Sequence, residues 1–117
     1  MFDKRKDTRK KLMAFTLVYT LKPKALIGYL EDLTIRGARV VGSVSLEADK
    51  LVTLEIDFPK DTASLPPTPF TIQARVARSA QDEAKYANLG FEFVDVTPEQ
   101  TRILEAVIDR YEFKKVT

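Results

Sequence analysis

The chain has no cysteine and no histidine among its 117 residues. The absence of cysteine excludes disulfides, thiolate nucleophiles and zinc sites with sulfur ligands, and it fits a reducing compartment. The absence of histidine removes the commonest general base and the commonest transition-metal ligand, so only carboxylates, lysine, tyrosine and hydroxyl groups remain for chemistry. We therefore expect a protein that is not an enzyme and that has neither a cofactor nor a metal site.

Long hydrophobic runs are also missing. The longest uninterrupted apolar runs have only a few residues, whereas a membrane-spanning helix needs about 20. Residues 3–11 are charged, and no apolar stretch of the kind found in a secretory signal follows them. We expect a cytoplasmic protein without membrane insertion.

The overall composition is that of one globular domain, with 44% hydrophobic and 31% charged residues. The charge is unevenly distributed, because residues 1–11 carry a net +4 while the whole chain carries only +2. This asymmetry favours a localised anion site over a surface that binds long nucleic acid. We predict a single domain over residues 1–117, with residues 1–11 as a mobile basic arm.

Six segments have the lengths and the alternation of β-strands. The first three are 12–21, 25–33 and 37–44, and the fourth is 50–58. The last two are marked by the alternating sets Phe70, Ile72, Ala74, Val76 and Leu89, Phe91, Phe93. The first strand would carry Met13, Phe15, Leu17, Tyr19 and Leu21 on one face, and the fourth would direct Val52, Leu54, Ile56 and Phe58 inward. Four prolines between residues 59 and 69 predict a loop there.

A helix start follows the last strand. Thr97 is a typical N-cap, Pro98 suits the first helical position, and Gln100 completes a capping box. Apolar residues then follow at helical spacing: Ile103, Leu104, Val107, Ile108 and Tyr111. We predict a mostly β fold, a six-stranded antiparallel split β-barrel over residues 12–95 with a C-terminal α-helix over 97–113.

One short motif precedes the first predicted strand, and another lies at the end of the second. Residues 5–9 read RKDTR and residues 32–37 read DLTIRG. Here the sequence resembles the PilZ family, whose members pair an RxxxR segment with a downstream (D/N)x(S/T)xxG segment. The strand spacing, residues 90–93 and the helix start also match, so the resemblance covers nearly the whole chain.

The resemblance implies a receptor for cyclic di-GMP, with Arg5, Arg9, Asp32, Thr34 and Gly37 as ligand-binding residues and no catalytic residue. The residue types suit that ligand, because arginine can grip a phosphate, donate to the O6 and N7 atoms of guanine, or stack on a base. An aspartate accepts hydrogen bonds from the N1 and N2 donors of guanine. The resemblance further implies that binding changes the surface shown to an unidentified protein partner and so regulates motility, biofilm or exopolysaccharide.

Other interpretations remain open. The basic segment can be a solvated tail, and residues 32–37 can be an ordinary turn in which Asp32 or Thr34 bonds to nearby backbone while Gly37 supplies a positive φ. The chain can also be a PilZ-like protein-interaction domain that binds no nucleotide, or a small barrel that binds single-stranded nucleic acid. The latter needs aromatic residues on an exposed basic face, whereas most aromatics here follow the inward alternation. Arg75 and Arg78 are expected on the surface, where either could border the ligand.

Overall fold

The structure is a computed structural model that describes residues 11–13, 16–58, 69–81 and 86–113. The predicted arm, with Arg5 and Arg9, and the predicted proline-rich loop lie outside these residues, apart from Lys11 and Pro69. The strands are β1 (Lys11–Met13), β2 (Leu17–Thr20), β3 (Ala25–Leu33), β4 (Gly37–Gly42), β5 (Leu51–Ile56), β6 (Phe70–Gln81), β7 (Ala87–Phe93) and β8 (Tyr111–Phe113), and the helix α1 is Pro98–Arg110.

Six of these strands close into a barrel in the order β2-β3-β4-β7-β6-β5. Every neighbouring pair in the barrel is antiparallel, including the closing pair of β2 and β5. This confirms the predicted six-stranded antiparallel barrel with one C-terminal helix. The remaining two strands, β1 and β8, pair with each other in parallel as a separate two-stranded sheet.

The barrel interior is filled by the alternating apolar residues of its strands. The predicted inward residues of β6 and β7 are all buried, and so are Leu54, Ile56 and Phe58 of the fourth predicted strand, while Val52 is half-buried. Leu104 and Val107 of the helix are fully buried in the same core. The helix therefore contributes its apolar face to the barrel core, as the spacing predicts.

The first predicted strand was wrong in its extent, and its predicted alternation did not say which face is buried. The barrel strand β2 covers only residues 17–20, and Thr16 and Val18 are buried while Leu17 and Tyr19 are half-buried. Both faces of this segment carry apolar residues, so its alternation alone does not decide the inner face. Pairing decides it, because Val18 lies opposite Ile56, which is in the core, and directly opposed residues share one face of a sheet.

The capping box at the start of α1 is confirmed. The backbone N–H of Gln100 donates to Oγ1 of Thr97 at 3.1 Å, and the N–H of Thr97 donates to Oε1 of Gln100 at 2.9 Å. The helix ends at Arg110, earlier than the predicted 113, because Tyr111 is extended and begins β8. Tyr111 is buried as predicted, but as a strand residue. In the ranges that the structure describes, no helix is long and apolar enough to cross a bilayer.

Candidate functional site

The turn between β3 and β4 contains the second motif and is held by Thr34. Its Oγ1 accepts hydrogen bonds from the backbone N–H groups of Arg36 and Gly37, both at 3.1 Å, and its own N–H donates to the carbonyl of Gly37 at 2.9 Å. Upstream of it, Oδ1 of Asp32 accepts from the N–H of Leu33 at 2.9 Å. The local backbone bonding expected of an ordinary turn is therefore present, and it orders the motif.

Close packing between strands explains why residue 37 is a glycine, and the sequence did not reveal this reason. A Cβ at this position would overlap the backbone carbonyl oxygen of Phe91 on the neighbouring strand β7. The φ angle of Gly37 is not positive, so that part of the turn interpretation was wrong. Glycine is needed here because β4 approaches β7 too closely for any side chain.

Two β-bulges set which side chains face outward beside this turn. In β3 the register shifts between Leu30, which opposes Val40, and Asp32, which opposes Arg39. In β6 the register shifts between Val76, which opposes Phe91, and Arg78, which opposes Gly90. A bulge adds one residue and so reverses the alternation that follows it.

The two bulges place one row of residues across the outer face of the barrel. The row runs over four adjacent strands and consists of Asp32, Arg39, Gly90 and Arg78. Asp32, Arg39 and Arg78 are exposed, and Gly90 leaves a gap between the two arginines. Since neighbouring strands lie about 4.8 Å apart, the arginine Cα atoms are about 10 Å apart. We call this set the outer row.

Two clefts meet at the outer row. The first has a volume of about 320 Å³ and is bordered by the motif turn together with Asp32, Arg39, Gly90 and Glu92. The second has a volume of about 450 Å³ and includes Glu31 and Arg78 in its lining, and it shares Arg39 and Gly90 with the first. Such volumes are in the range of small-molecule sites. The shared residues make the two clefts neighbouring compartments of one groove.

The charges around the groove are arranged so that its arginines are available to a ligand. Glu92 is held by Arg75, whose Nε and Nη2 donate to Oε1 of Glu92 at 3.1 and 2.7 Å, and whose Nη1 donates to Oδ1 of Asp49 at 2.6 Å. The two hydrogen bonds to Glu92, and secondarily the one to Asp49, raise the pKa of Arg75. The positive charge of Arg75 thereby offsets the negative charge of Glu92, which would otherwise repel an anionic ligand.

The other arginines of the groove form no such pairs with the part of the chain that the structure describes. Among the residues that the structure describes, no ion pair involves Arg36, Arg39 or Arg78. Asp32 and Arg39 are cross-strand neighbours, yet no ion pair joins them in the described part of the chain. Both groups keep most of their hydrogen-bonding capacity for a ligand.

The structure thus brings three of the five predicted site residues together, since Asp32, Thr34 and Gly37 all border the first cleft. Sequence reasoning missed Arg39 and Gly90, and it named Arg78 only as a possible neighbour of the ligand. The sequence gives little indication that these three residues lie together. The bulges that align the outer row interrupt the alternation from which strand faces are predicted.

Elsewhere on the barrel, the two acidic residues of the fourth predicted strand differ in exposure, since the side chain of Glu55 is mostly buried and Asp57 is exposed. Glu55 forms an ion pair with Lys24 at 3.0 Å. Within the described ranges there is no group of three or more acidic residues that could hold a metal ion.

Comparison with known proteins identifies the family. The sequence profile of the PilZ domain matches residues 3–110, which is nearly the whole chain. The chain belongs to the PilZ domain family. No curated protein matches the sequence.

Two solved structures share the fold of this PilZ domain. The PilZ domain of Escherichia coli YcgR with c-di-GMP has a TM-score of 0.58 and 17% identity, over 80% of this chain and 79% of that one. The Bacillus subtilis inhibitor of motility (MotI/DgrA) has a TM-score of 0.63 and 16% identity, over 80% of this chain. The match spans 45% of the Bacillus chain, which is less than half of it.

Proposed function

We propose that this PilZ domain is a non-catalytic receptor that binds cyclic di-GMP in the groove beside the turn of residues 34–36. The observation that carries the proposal is the placement of Asp32. A bulge turns this carboxylate outward into a cleft beside Arg39, whose guanidinium group forms no ion pair with the described residues, and the family of this chain includes a domain solved with c-di-GMP.

The carboxylate of Asp32 is suited to reading guanine. The bond from the N–H of Leu33 to Oδ1 orients the group, and Oδ2 with the remaining lone pairs of Oδ1 can accept hydrogen bonds from a ligand. Guanine offers two donors, N1–H and N2–H, on one edge, which match two carboxylate oxygens. Adenine has an acceptor at N1 and would leave the carboxylate poorly paired, so it should be rejected.

The phosphates of the ligand require cationic partners, and the chain has two sets of arginines that can supply them. Arg5 and Arg9 of the RxxxR motif are our candidates for the principal phosphate ligands, as the family resemblance implies. Arg36 and Arg39 lie at the first cleft and can add planar donor groups. Thr34 and Gly37 support the site by ordering the turn and by letting β4 approach β7.

The proposed output is a change in the surface offered to a protein partner. Residues 1–11 carry a net charge of +4. Binding of a dianionic ligand would draw the part of this segment that precedes β1 onto the groove and order it there. Control of motility, biofilm or exopolysaccharide is the output that the family suggests, and the similarity to an inhibitor of motility is consistent with it.

Isothermal titration calorimetry with cyclic di-GMP tests the proposal. We expect binding by the wild-type chain and a loss of about 10-fold or more in affinity for Asp32→Asn, because a charged acceptor of two donors is removed. Asp57→Asn is the matched control, since Asp57 is an exposed aspartate after β5 that lines neither cleft. Arg9→Ala should also weaken binding.

GMP and cyclic di-AMP are the ligand controls, and both should bind much more weakly than cyclic di-GMP. The proposal is wrong if the wild-type chain gives no heat at about 50 μM protein, or if Asp32→Asn and Arg9→Ala bind as well as wild type. Equal binding of unrelated single-stranded oligonucleotides, with a steep dependence on salt, would instead indicate a nucleic-acid-binding barrel.

A further inference from the structure

A third cleft lies on a part of the barrel that is separate from the nucleotide groove. Its volume is about 500 Å³, which is larger than that of either cleft of the groove. One wall is the turn between β2 and β3, with Lys22 and Pro23, and the other is the start of β5, with Lys50 and Leu51. In the part of the chain that the structure describes, no residue lines both this cleft and the groove.

Both walls of the third cleft are fixed by backbone hydrogen bonds. The N–H of Leu21 donates to the carbonyl oxygen of Thr53 at 3.2 Å. On the other side, the N–H of Asp49 donates to the carbonyl oxygen of Val76 at 2.7 Å, and the N–H of Val76 donates to that of Lys50 at 2.9 Å. The cleft is therefore formed before any ligand arrives, and a ligand does not have to order its walls.

The charge of the third cleft is positive. Its described lining contains Lys22 and Lys50 and no acidic residue. Neither lysine forms an ion pair with the described residues. Asp49, which precedes Lys50, is engaged by Nη1 of Arg75 at 2.6 Å. The two ammonium groups are therefore available to the carboxylates of a ligand.

A large apolar side chain is exposed at the same cleft. Leu51 is 67% exposed, which is the highest value for a large hydrophobic residue in the described ranges. Pro23, on the opposite wall, is exposed as well. Removal of this apolar surface from water by a ligand would be favourable. The cleft thus suits a ligand that has both an apolar group and negative charge.

Lys22 has a backbone conformation that lysine rarely adopts. Its φ is +66°, in the left-handed region that glycine occupies easily and that is costly for lysine. Among the described residues, the other positive φ values outside glycine belong to Asp49 and Asp95, and aspartate tolerates this region better. Glycine would suit the turn better, so the turn itself does not explain the lysine. Strain of this kind is concentrated at functional sites.

We propose that the third cleft is a docking site for a short acidic segment of a partner protein. Carboxylates of the segment pair with Lys22 and Lys50, and one of its apolar side chains covers Leu51. The concave shape favours a peptide segment over a membrane surface, because a bilayer does not enter a cleft. The inference does not rest on the proposed nucleotide binding, since the cleft and the groove share no described residue.

Selection of short random peptides displayed on phage, against the wild-type chain without nucleotide, tests the proposal. We expect the enriched peptides to combine several acidic residues with a leucine, isoleucine or phenylalanine. The affinity of the best peptide is then measured by fluorescence anisotropy. The double variant Lys22→Glu with Lys50→Glu should bind it at least about tenfold more weakly than wild type. Leu51→Ser should bind it about fivefold more weakly.

Two matched variants should keep the affinity of wild type. Arg102→Glu is the control for charge reversal, because Arg102 is an exposed cation on α1 that lines none of the three clefts. Leu26→Ser is the control for Leu51, since Leu26 is an exposed leucine on β3 outside the described lining of the third cleft.

Lys22→Gly separates docking from folding. Glycine relieves the backbone strain at this position, so the midpoint of thermal unfolding should not fall. The affinity for the peptide should nevertheless fall severalfold, because one ammonium group is lost. Wild-type affinity in this variant would overturn the role of Lys22 in docking.

The docking site is wrong if no acidic peptide is enriched, or if the charge-reversed double variant binds the selected peptide as well as wild type. Binding of phosphatidylglycerol vesicles that is lost in the double variant, without any enriched peptide, would overturn it in favour of a membrane surface. A chain that selects acidic peptides at this cleft but does not bind cyclic di-GMP would refute the proposed function and support the docking site.

Discussion

Substitution of Gly37 by alanine measures how tightly β4 is fixed against β7. The added methyl group would overlap the carbonyl oxygen of Phe91, which is backbone and cannot rotate away. Relief requires the two strands to separate, yet β4 pairs with β7 over six residues and with β3 on its other side within a closed barrel. The strain therefore has no free edge through which to relax.

The expected change in the free energy of unfolding is the sum of two opposing effects. Overpacking against an unyielding neighbour costs about 3 kcal/mol, the upper part of the usual range. Replacement of glycine by alanine returns about 0.4–1 kcal/mol, because the unfolded chain has less conformational freedom to lose. We expect Gly37→Ala to lower the free energy of unfolding by about 2 kcal/mol, and the midpoint of thermal unfolding by roughly 8 °C in a domain of this size.

Gly90→Ala is the matched control, because it has the same effect on the unfolded chain without the overlap. Its free energy of unfolding should be equal to that of wild type or higher by up to about 1 kcal/mol. Urea unfolding followed by circular dichroism measures both variants, and the chain has no tryptophan that could serve as a fluorescence probe. Equal urea midpoints for the two variants would refute the close approach of β4 to β7.

The other predictions concern the turn, the helix and the charge balance of the groove. Thr34→Val should lower the free energy of unfolding by about 1–2 kcal/mol, because two backbone N–H groups lose their acceptor, while Thr34→Ser should stay within about 0.5 kcal/mol in urea titrations. Leu104→Ala should cost about 2–5 kcal/mol by the same measurement, because this side chain is fully buried between helix and barrel. Arg75→Ala should weaken cyclic di-GMP binding in calorimetry, and more so at low salt, because Glu92 is left uncompensated beside the groove. Unchanged affinity at low salt would contradict that charge assignment.

Part of the fold follows from local rules that the sequence satisfies by itself. The capping box needs only Thr97, Pro98 and Gln100 in succession, and the structure forms it as predicted. The alternating residues of β6 and β7 have apolar groups on one side only, so their inner face is unambiguous. Such elements are predictable because each depends on neighbours within a few residues.

The sequence also named the second motif, and three of the residues proposed from it converge at one cleft. The sequence could not reveal the structural role of each of these residues. Thr34 bonds to its own turn, and Gly37 makes room for a carbonyl on a strand more than 50 residues away. The first role is local and could be expected of an ordinary turn, whereas the second depends on which strand is adjacent.

The strands with one clearly apolar face, the helix and the family motifs are predictable from the sequence alone, since they depend on alternation and on short-range hydrogen bonding. The inner face of β2, the pairing of β1 with β8 and the alignment of the outer row depend instead on which strands are neighbours in the folded chain. They depend on it because a single inserted residue reverses the face of every residue that follows it in a strand. Whether Asp32 and Arg78 face the same groove is consequently fixed by two bulges, which exist only once the strands are paired.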